Sequence, residues 1–152
     1  MRAYEIKAER GREVTLETPD FLEQARQILS RSLPVELRMS GSTMSPAIED
    51  GDIITLEPVN EEPIKQGDIV LYQSRMDTAV IHRIVRLERS SSERCIVTRG
   101  DAASHNDSPV PFHRILGRVK RVERAGERIK MIMPKRTFSQ TVLAWLHRLR
   151  LW

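Results

Sequence analysis

The sequence contains few of the residues on which several classes of small protein depend. Its single cysteine, Cys95, excludes an internal disulfide, and we interpret it as a buried strand residue. Aromatic residues make up only 5% of the chain, and no basic segment carries them in the pattern of a nucleic-acid-binding surface. The four histidines, at positions 82, 105, 113 and 147, lack the paired spacing of a helical metal site. We therefore predict no metal, no cofactor and no nucleic-acid partner.

Long apolar runs are also absent. No stretch approaches the roughly 20 apolar residues that a membrane-spanning helix needs, and residues 1–7 contain no apolar core of signal-peptide length. These absences predict a soluble protein of the cytoplasm, with a peripheral position at the membrane as the alternative. The 39% hydrophobic and 30% charged residues are typical of a folded domain. The net charge of +4 arises mainly after Arg114, and we interpret it as a solvated basic face.

Helical periodicity is found near both ends of the chain. Thr18-Pro19-Asp20 is a helix start, and apolar residues follow at helical spacing until Ser30–Ser32, before Pro34. A second amphipathic pattern covers residues 138–152, where tryptophans and leucines form one stripe. We expect this second helix to pack against the domain or a partner. The alternative is contact with a membrane surface, because tryptophan beside arginine suits the headgroup layer.

Between the two helices the sequence predicts short strands separated by turn residues. The seven predicted strands are Val35–Met39, Asp52–Pro58, Asp68–Ser74, Ala79–Arg89, Arg94–Arg99, Ile115–Val122 and Glu127–Met133. Such strands indicate a mostly β fold, a small curled antiparallel sheet or partly open barrel with an amphipathic helix at each end. A further strand is expected at Glu13–Leu16 in an extended arm. The predicted organisation is an arm and helix over 1–34, a β domain over 35–133 and a C-terminal helix over 134–152.

A Gly-Asp pair precedes two of these strands. Gly51-Asp52 and Gly67-Asp68 are each followed by β-branched residues. Glycine allows the turn, and aspartate accepts hydrogen bonds from nearby backbone amides. We interpret both pairs as structural turns rather than metal sites.

One set of residues offers the parts of a nucleophilic peptidase site, which needs a hydroxyl, a base, an orienting group and amides for the oxyanion. Thr43 carries a hydroxyl after the small residues Ser40-Gly41-Ser42, where a substrate backbone could approach closely and Gly41 permits unusual backbone angles. Ser42 carries a hydroxyl as well. In an extended segment, however, its side chain would face away from that of Thr43.

His82 is the candidate base. It lies in the apolar run 80–85, where alternation places it on one face of a strand with apolar neighbours. Taken alone, such a histidine is commonly a core residue. The polar loop 99–107 follows the next strand and contains Asp101 and Asp107, either of which could orient His82. The alternative interpretation of this loop is an ordinary turn.

Six short blocks follow one another along the chain: Met44-Ser45-Pro46, Gly51-Asp52, Gly67-Asp68-Ile69-Val70, His82-Arg83-Ile84-Val85, Gly100-Asp101 and Leu116-Gly117-Arg118-Val119. In this order they resemble the signal peptidase I family, in the branch that uses histidine instead of lysine as the general base. The resemblance implies an endopeptidase that cleaves a leader or signal-type peptide beside small residues. It also implies a catalytic triad of Thr43, His82 and Asp107, with Asp101 as a supporting or alternative carboxylate. The oxyanion and substrate-binding surface would come from Ser40, Gly41 and Ser42.

The chain departs from that family in two respects. Thr43 stands where the family has serine, and its methyl group restricts χ1 and crowds the path of attack. The family is usually anchored by an N-terminal membrane helix, and we expect none here. The expected substrate is therefore a soluble leader peptide or the exposed end of a membrane protein. An extended peptide is expected along the strand edge near residues 35–43.

Two alternatives to an active peptidase follow from the same residues. A site impaired by Thr43 would leave a peptide-binding module with the same fold, although retention of His82 and Asp107 favours activity. The other alternative is a self-cleaving regulator of the related repressor type. The sequence contains no recognisable DNA-binding domain, which argues against it.

Overall fold

The computed structural model describes residues 3–8, 12–59, 63–90 and 92–131. Its elements, in chain order, are β1 (Ala3–Ala8), β2 (Arg12–Glu17), α1 (Thr18–Ser30), β3 (Val35–Arg38), β4 (Ile53–Glu57), β5 (Ile69–Gln73), β6 (Ala79–Ser90), β7 (Glu93–Arg99), β8 (Val110–Pro111), β9 (Ile115–Arg124) and β10 (Glu127–Ile129). A 3-10 turn, Phe112–Arg114, joins β8 to β9.

The strands of the described residues form one antiparallel sheet in the order β2-β1-β3-β4-β9-β5-β6-β7-β8, with β10 paired to β9. The sheet curls into a half-barrel, which confirms the predicted mostly β fold. Each of the seven predicted strands is present, with ends that differ by a few residues. The helix predicted over 138–152 lies outside the described residues.

Helix α1 begins at Thr18 and ends at Ser30, as the sequence predicts. Its apolar residues lie on one face, where Phe21 and Ala25 are fully buried and Leu29 is almost so. The helix packs against β1, β2, β3 and β9, and its buried face belongs to the larger of two hydrophobic clusters. Within the described part of the chain, no helix combines the length and the apolar character needed to cross a membrane.

The residues before α1 form a hairpin rather than an arm with a single strand. β1 pairs with β2 on one side and with β3 on the other, from Glu5 opposite Arg38 to Lys7 opposite Glu36. Because β4 pairs with the opposite side of β3, both edges of β3 are occupied.

Strand β6 contributes to both hydrophobic clusters because its side chains alternate between the two faces of the sheet. Ile81 belongs to the larger cluster. Ile84 belongs to a second cluster, which also contains Tyr72, and Val80 packs against that cluster. His82 lies on the same face as Val80 and Ile84, as alternation in the sequence predicts.

Both Gly-Asp pairs are structural turns, as expected. The Asp52 carboxylate accepts the Glu49 N–H at 2.7 Å, and the Asp68 carboxylate accepts the Lys65 N–H at 3.0 Å. Arg124 of β9 donates to both carboxylate oxygens of Asp52, at 2.9 and 2.8 Å. This hydrogen bonding, partly opposed by burial, lowers the pKa of Asp52.

Candidate active site

The segment that carries Thr43 is a series of turns. Gly41 has a φ of +91°, in the region that favours glycine, and its N–H donates to Asp50 Oδ1 at 2.8 Å. The Ser45 N–H donates to the Ser42 carbonyl at 3.1 Å. The expectation of an extended backbone at Ser42 and Thr43 is therefore wrong, and strand alternation does not determine the direction of the Ser42 side chain. Thr43 is exposed, whereas its neighbour Met44 is buried and anchors the segment.

His82 is held from one side by Asp107. Its Nδ1 lies 2.6 Å from Asp107 Oδ2, and only 16% of the His82 side chain is exposed. When Asp107 is ionised, its carboxylate accepts a hydrogen bond from the His82 Nδ1–H, and this tautomer leaves Nε2 unprotonated and able to accept a proton. That arrangement suits a general base.

Gly100 lies against both Thr43 and His82. A Cβ added at this glycine would be 2.6 Å from the Thr43 carbonyl oxygen and 3.1 Å from His82 Nε2. The Ala102 N–H also donates to the Thr43 carbonyl, at 3.1 Å. The loop after β7 is thus joined directly to the Thr43 segment, with the histidine beside them.

Two buried hydroxyls hold Asp107. Its Oδ2 lies 2.7 Å from Thr98 Oγ1 and 3.2 Å from the Tyr72 hydroxyl, while its own N–H donates to the Thr98 carbonyl at 2.8 Å. Burial, together with the adjacent carboxylate, raises the pKa of Tyr72, so its phenol remains a donor. Tyr72 and Thr98 were not among the predicted site residues. Their one signal is a hydroxyl at the end of an otherwise apolar strand.

Asp101 has a different partner. Its two carboxylate oxygens accept hydrogen bonds from Arg83, at 2.8 and 2.7 Å, and the two side chains are only 7% and 6% exposed. Arg83 also donates to the Gly67 carbonyl at 2.9 Å. Adjacent residues of a strand point to opposite faces, so Asp101 is directed away from His82. Of the two carboxylates that the sequence left as alternatives, Asp107 contacts the histidine.

A cleft of about 250 Å³ lies between the Thr43 segment and the first residues of β6. Ser40 and Thr43 line it from one side, and residues 79–82 line it from the other. In this structure no hydrogen bond joins the Thr43 hydroxyl to His82, as far as the described residues extend. The Gly41 N–H, one of the predicted oxyanion donors, already donates a hydrogen bond to Asp50 Oδ1.

The cleft contains an open strand edge. β6 pairs with β5 from Ala79 to Arg83, but its pairing with β7 begins only at Arg83. Antiparallel ladders alternate, and Ser74 and Thr78 form a bonded pair, so the N–H and C=O groups of Ala79 and Ile81 point away from β5. The expectation that a peptide docks along the strand edge near residues 35–43 is wrong for β3, because β1 and β4 occupy both of its edges.

The known proteins that this chain resembles are peptidases. The family described as Peptidase S24-like matches residues 4–120. The signal peptidase complex catalytic subunit SEC11 of Lachancea thermotolerans is 35% identical over 80 residues, which cover 51% of this chain and 46% of that protein. The subunit SEC11C of Homo sapiens is 33% identical over 70 residues, covering 45% and 36% respectively. The matched region spans less than half of each relative's length.

Proposed function

The chain belongs to the peptidase S24-like family, and on that premise we propose that it is a signal-peptidase-like endopeptidase of the serine type with Thr43 as nucleophile. One observation carries the proposal. The 2.6 Å bond between His82 and Asp107 leaves Nε2 beside Gly100, and the same glycine lies against the Thr43 backbone.

The proposed reaction proceeds through an acyl-enzyme. Thr43 Oγ1 attacks the scissile carbonyl while His82 Nε2 takes its proton, and Asp107 stabilises the resulting imidazolium. His82 then gives this proton to the leaving amine, and the C–N bond breaks. Water, deprotonated by His82, hydrolyses the ester on Thr43 and restores the hydroxyl. The backbone amides of Ser42 and Thr43 are the proposed donors to the oxyanion.

The threonine methyl group is expected to slow the reaction without preventing it. Among the described residues, no hydrogen bond joins the Thr43 hydroxyl to His82, so attack requires a χ1 rotation that places Oγ1 near Nε2. Branching at Cβ restricts that rotation. Because Thr43 is exposed, the cleft leaves room for the movement. Catalytic hydrogen bonds often tighten only when substrate is bound.

The proposed substrate is an extended leader or signal-type peptide with small residues beside the scissile bond. It would add to the open edge of β6, where Ile81 offers an N–H and a C=O within the cleft that contains Thr43. The SEC11 relatives are catalytic subunits of signal peptidase complexes, which supports this substrate class.

Digestion of a synthetic library of 14-residue peptides, followed by mass spectrometry, tests the proposal. Wild type is expected to cleave, whereas Thr43→Ala and His82→Ala lower kcat/KM by about 1,000-fold or more. His105→Ala is a matched control because this exposed histidine does not line the cleft, and we expect a change of less than about threefold. Cleavage by Thr43→Ala at the wild-type rate would overturn the assignment of the nucleophile.

A peptide-binding module with an impaired site is the second candidate. The missing Thr43–His82 hydrogen bond and the added methyl group favour it. The same library distinguishes the two candidates through Thr43→Ser. Inert wild type with active Thr43→Ser would identify a binding module, whereas activity in both supports the peptidase.

A further inference from the structure

Tyr4 of β1 reaches the cleft from the N-terminal hairpin. Its hydroxyl donates to the Ala79 carbonyl at 3.2 Å, and its ring is part of the cleft lining. The ring stacks on Phe21 of α1, with centroids 4.3 Å apart and planes 14° apart. Phe21 is fully buried, so the tyrosine is held by a rigid part of the fold.

The Ala79 carbonyl is one of the groups that an added strand would use. Outward-pointing groups of β6 belong to Ala79, Ile81 and Arg83, and Arg83 is already paired with Arg99 of β7. Tyr4 bonds to the Ala79 carbonyl. Among the residues that the structure describes, Ile81 is then the one on this edge whose N–H and C=O both remain available to a peptide.

We propose that Tyr4 is a specificity-determining residue that ends the docking edge and limits backbone pairing with a bound peptide to Ile81. The inference rests on the proposed docking of an extended peptide in this cleft. The Ala79 carbonyl oxygen has two lone pairs, and the Tyr4 hydroxyl already uses one of them. A peptide N–H would either displace this hydroxyl, which exchanges one hydrogen bond for another, or share the oxygen with it beside the Tyr4 side chain that lines the cleft. Either arrangement yields little free energy. Recognition is therefore confined to a short segment beside the scissile bond. The proposed substrate class is a peptide that is extended beside the scissile bond and need not be extended elsewhere.

Amide-to-ester replacement in a bound peptide tests this limit, since an ester lacks the N–H that a backbone carbonyl accepts. The probe is the library peptide that wild type cleaves fastest or, if none is cleaved, the one that Thr43→Ala retains most strongly. Each backbone amide is replaced in turn, and Kd is measured with Thr43→Ala, so that binding is separated from catalysis. The same series is measured with Tyr4→Phe added, which removes the hydroxyl and keeps the ring on Phe21.

With Tyr4 present, we expect one ester position, facing the Ile81 carbonyl, to weaken binding about 3- to 10-fold. With Tyr4→Phe, a second position is expected to become sensitive by a similar factor, because the Ala79 carbonyl is released. If the same ester positions weaken binding with and without the Tyr4→Phe substitution, the proposed role of Tyr4 is overturned. Absence of cleavage alone would count against the peptidase proposal and not against Tyr4, because the ester series is read from binding.

Discussion

At the residue scale, the site depends on close packing around Gly100. Its backbone lies so near the Thr43 carbonyl and His82 Nε2 that even a methyl group has no room. His82 in turn depends on Asp107, which is held by the buried hydroxyls of Thr98 and Tyr72. The proposed nucleophile, base and orienting carboxylate thus lie in one packed cluster, so we expect a displacement of one of them to move the others.

Gly100→Ala tests that packing. The added Cβ would lie 2.6 Å from a backbone oxygen, which cannot rotate away, so the Thr43 segment must shift. We expect kcat/KM to fall about 10- to 100-fold, because misplacement by about 1 Å is enough for such a loss. The measurement is steady-state cleavage of the best library peptide, with thermal unfolding as the control for folding. Unchanged kcat/KM in a folded variant would show that the contact with Gly100 does not position Thr43.

At the scale of elements, the sequence predicts the helices and strands whose own residues show a clear apolar periodicity. Helix α1 and the long strand β6 follow from apolar periodicity. Strand β1 was not predicted. Its apolar and polar residues alternate over only six positions, and pairing with β2 and β3 fixes the strand. Strand β8 has only two residues and carries no pattern of its own.

The candidate site likewise combines residues that the sequence identifies with residues whose role is visible only in the fold. His82 and both candidate aspartates could be identified from the sequence, but the path of loop 99–107 determines which carboxylate meets the histidine. Tyr72 and Thr98 could not be identified, because their role depends on β5 and β7 converging on Asp107. Tyr4 reaches the cleft only through tertiary structure, since it lies 75 residues from Ala79 in the sequence.

The Gly-Asp turn before β4 should make stability depend on pH. Hydrogen bonding from Arg124 lowers the pKa of Asp52 below its ordinary 3.8. The stabilisation is therefore present above about pH 3.8 and is lost as the pH falls through the lower folded-state pKa. Asp52→Asn is expected to lower Tm at pH 7 by about 5 °C and to flatten the acid limb of the Tm–pH curve.

Thermal unfolding between pH 2 and pH 7 measures this effect. Glu127→Gln serves as the control because Glu127 is exposed. Parallel Tm–pH curves for wild type and Asp52→Asn would contradict a stabilising role for the ionised Asp52–Arg124 pair.

At the scale of the whole molecule, one curled sheet and its helix bring together residues from distant parts of the chain. The N-terminal hairpin lines the cleft, β6 contains His82 and the proposed docking edge, and the loop after β7 contains Asp107, which contacts His82. The resemblance to signal peptidases that the sequence motifs predicted is confirmed by the family match and the SEC11 relatives. The peptidase activity is the proposal on which the account depends.

A crystal structure with a peptide aldehyde tests the central claim most directly. The aldehyde should carry the sequence before the scissile bond of the best library peptide. We predict a hemiacetal bond from Thr43 Oγ1 to the aldehyde carbon, His82 Nε2 within about 3 Å of the adduct, and the peptide backbone paired with Ile81. An aldehyde bonded to Ser42, or bound outside this cleft, would contradict the account.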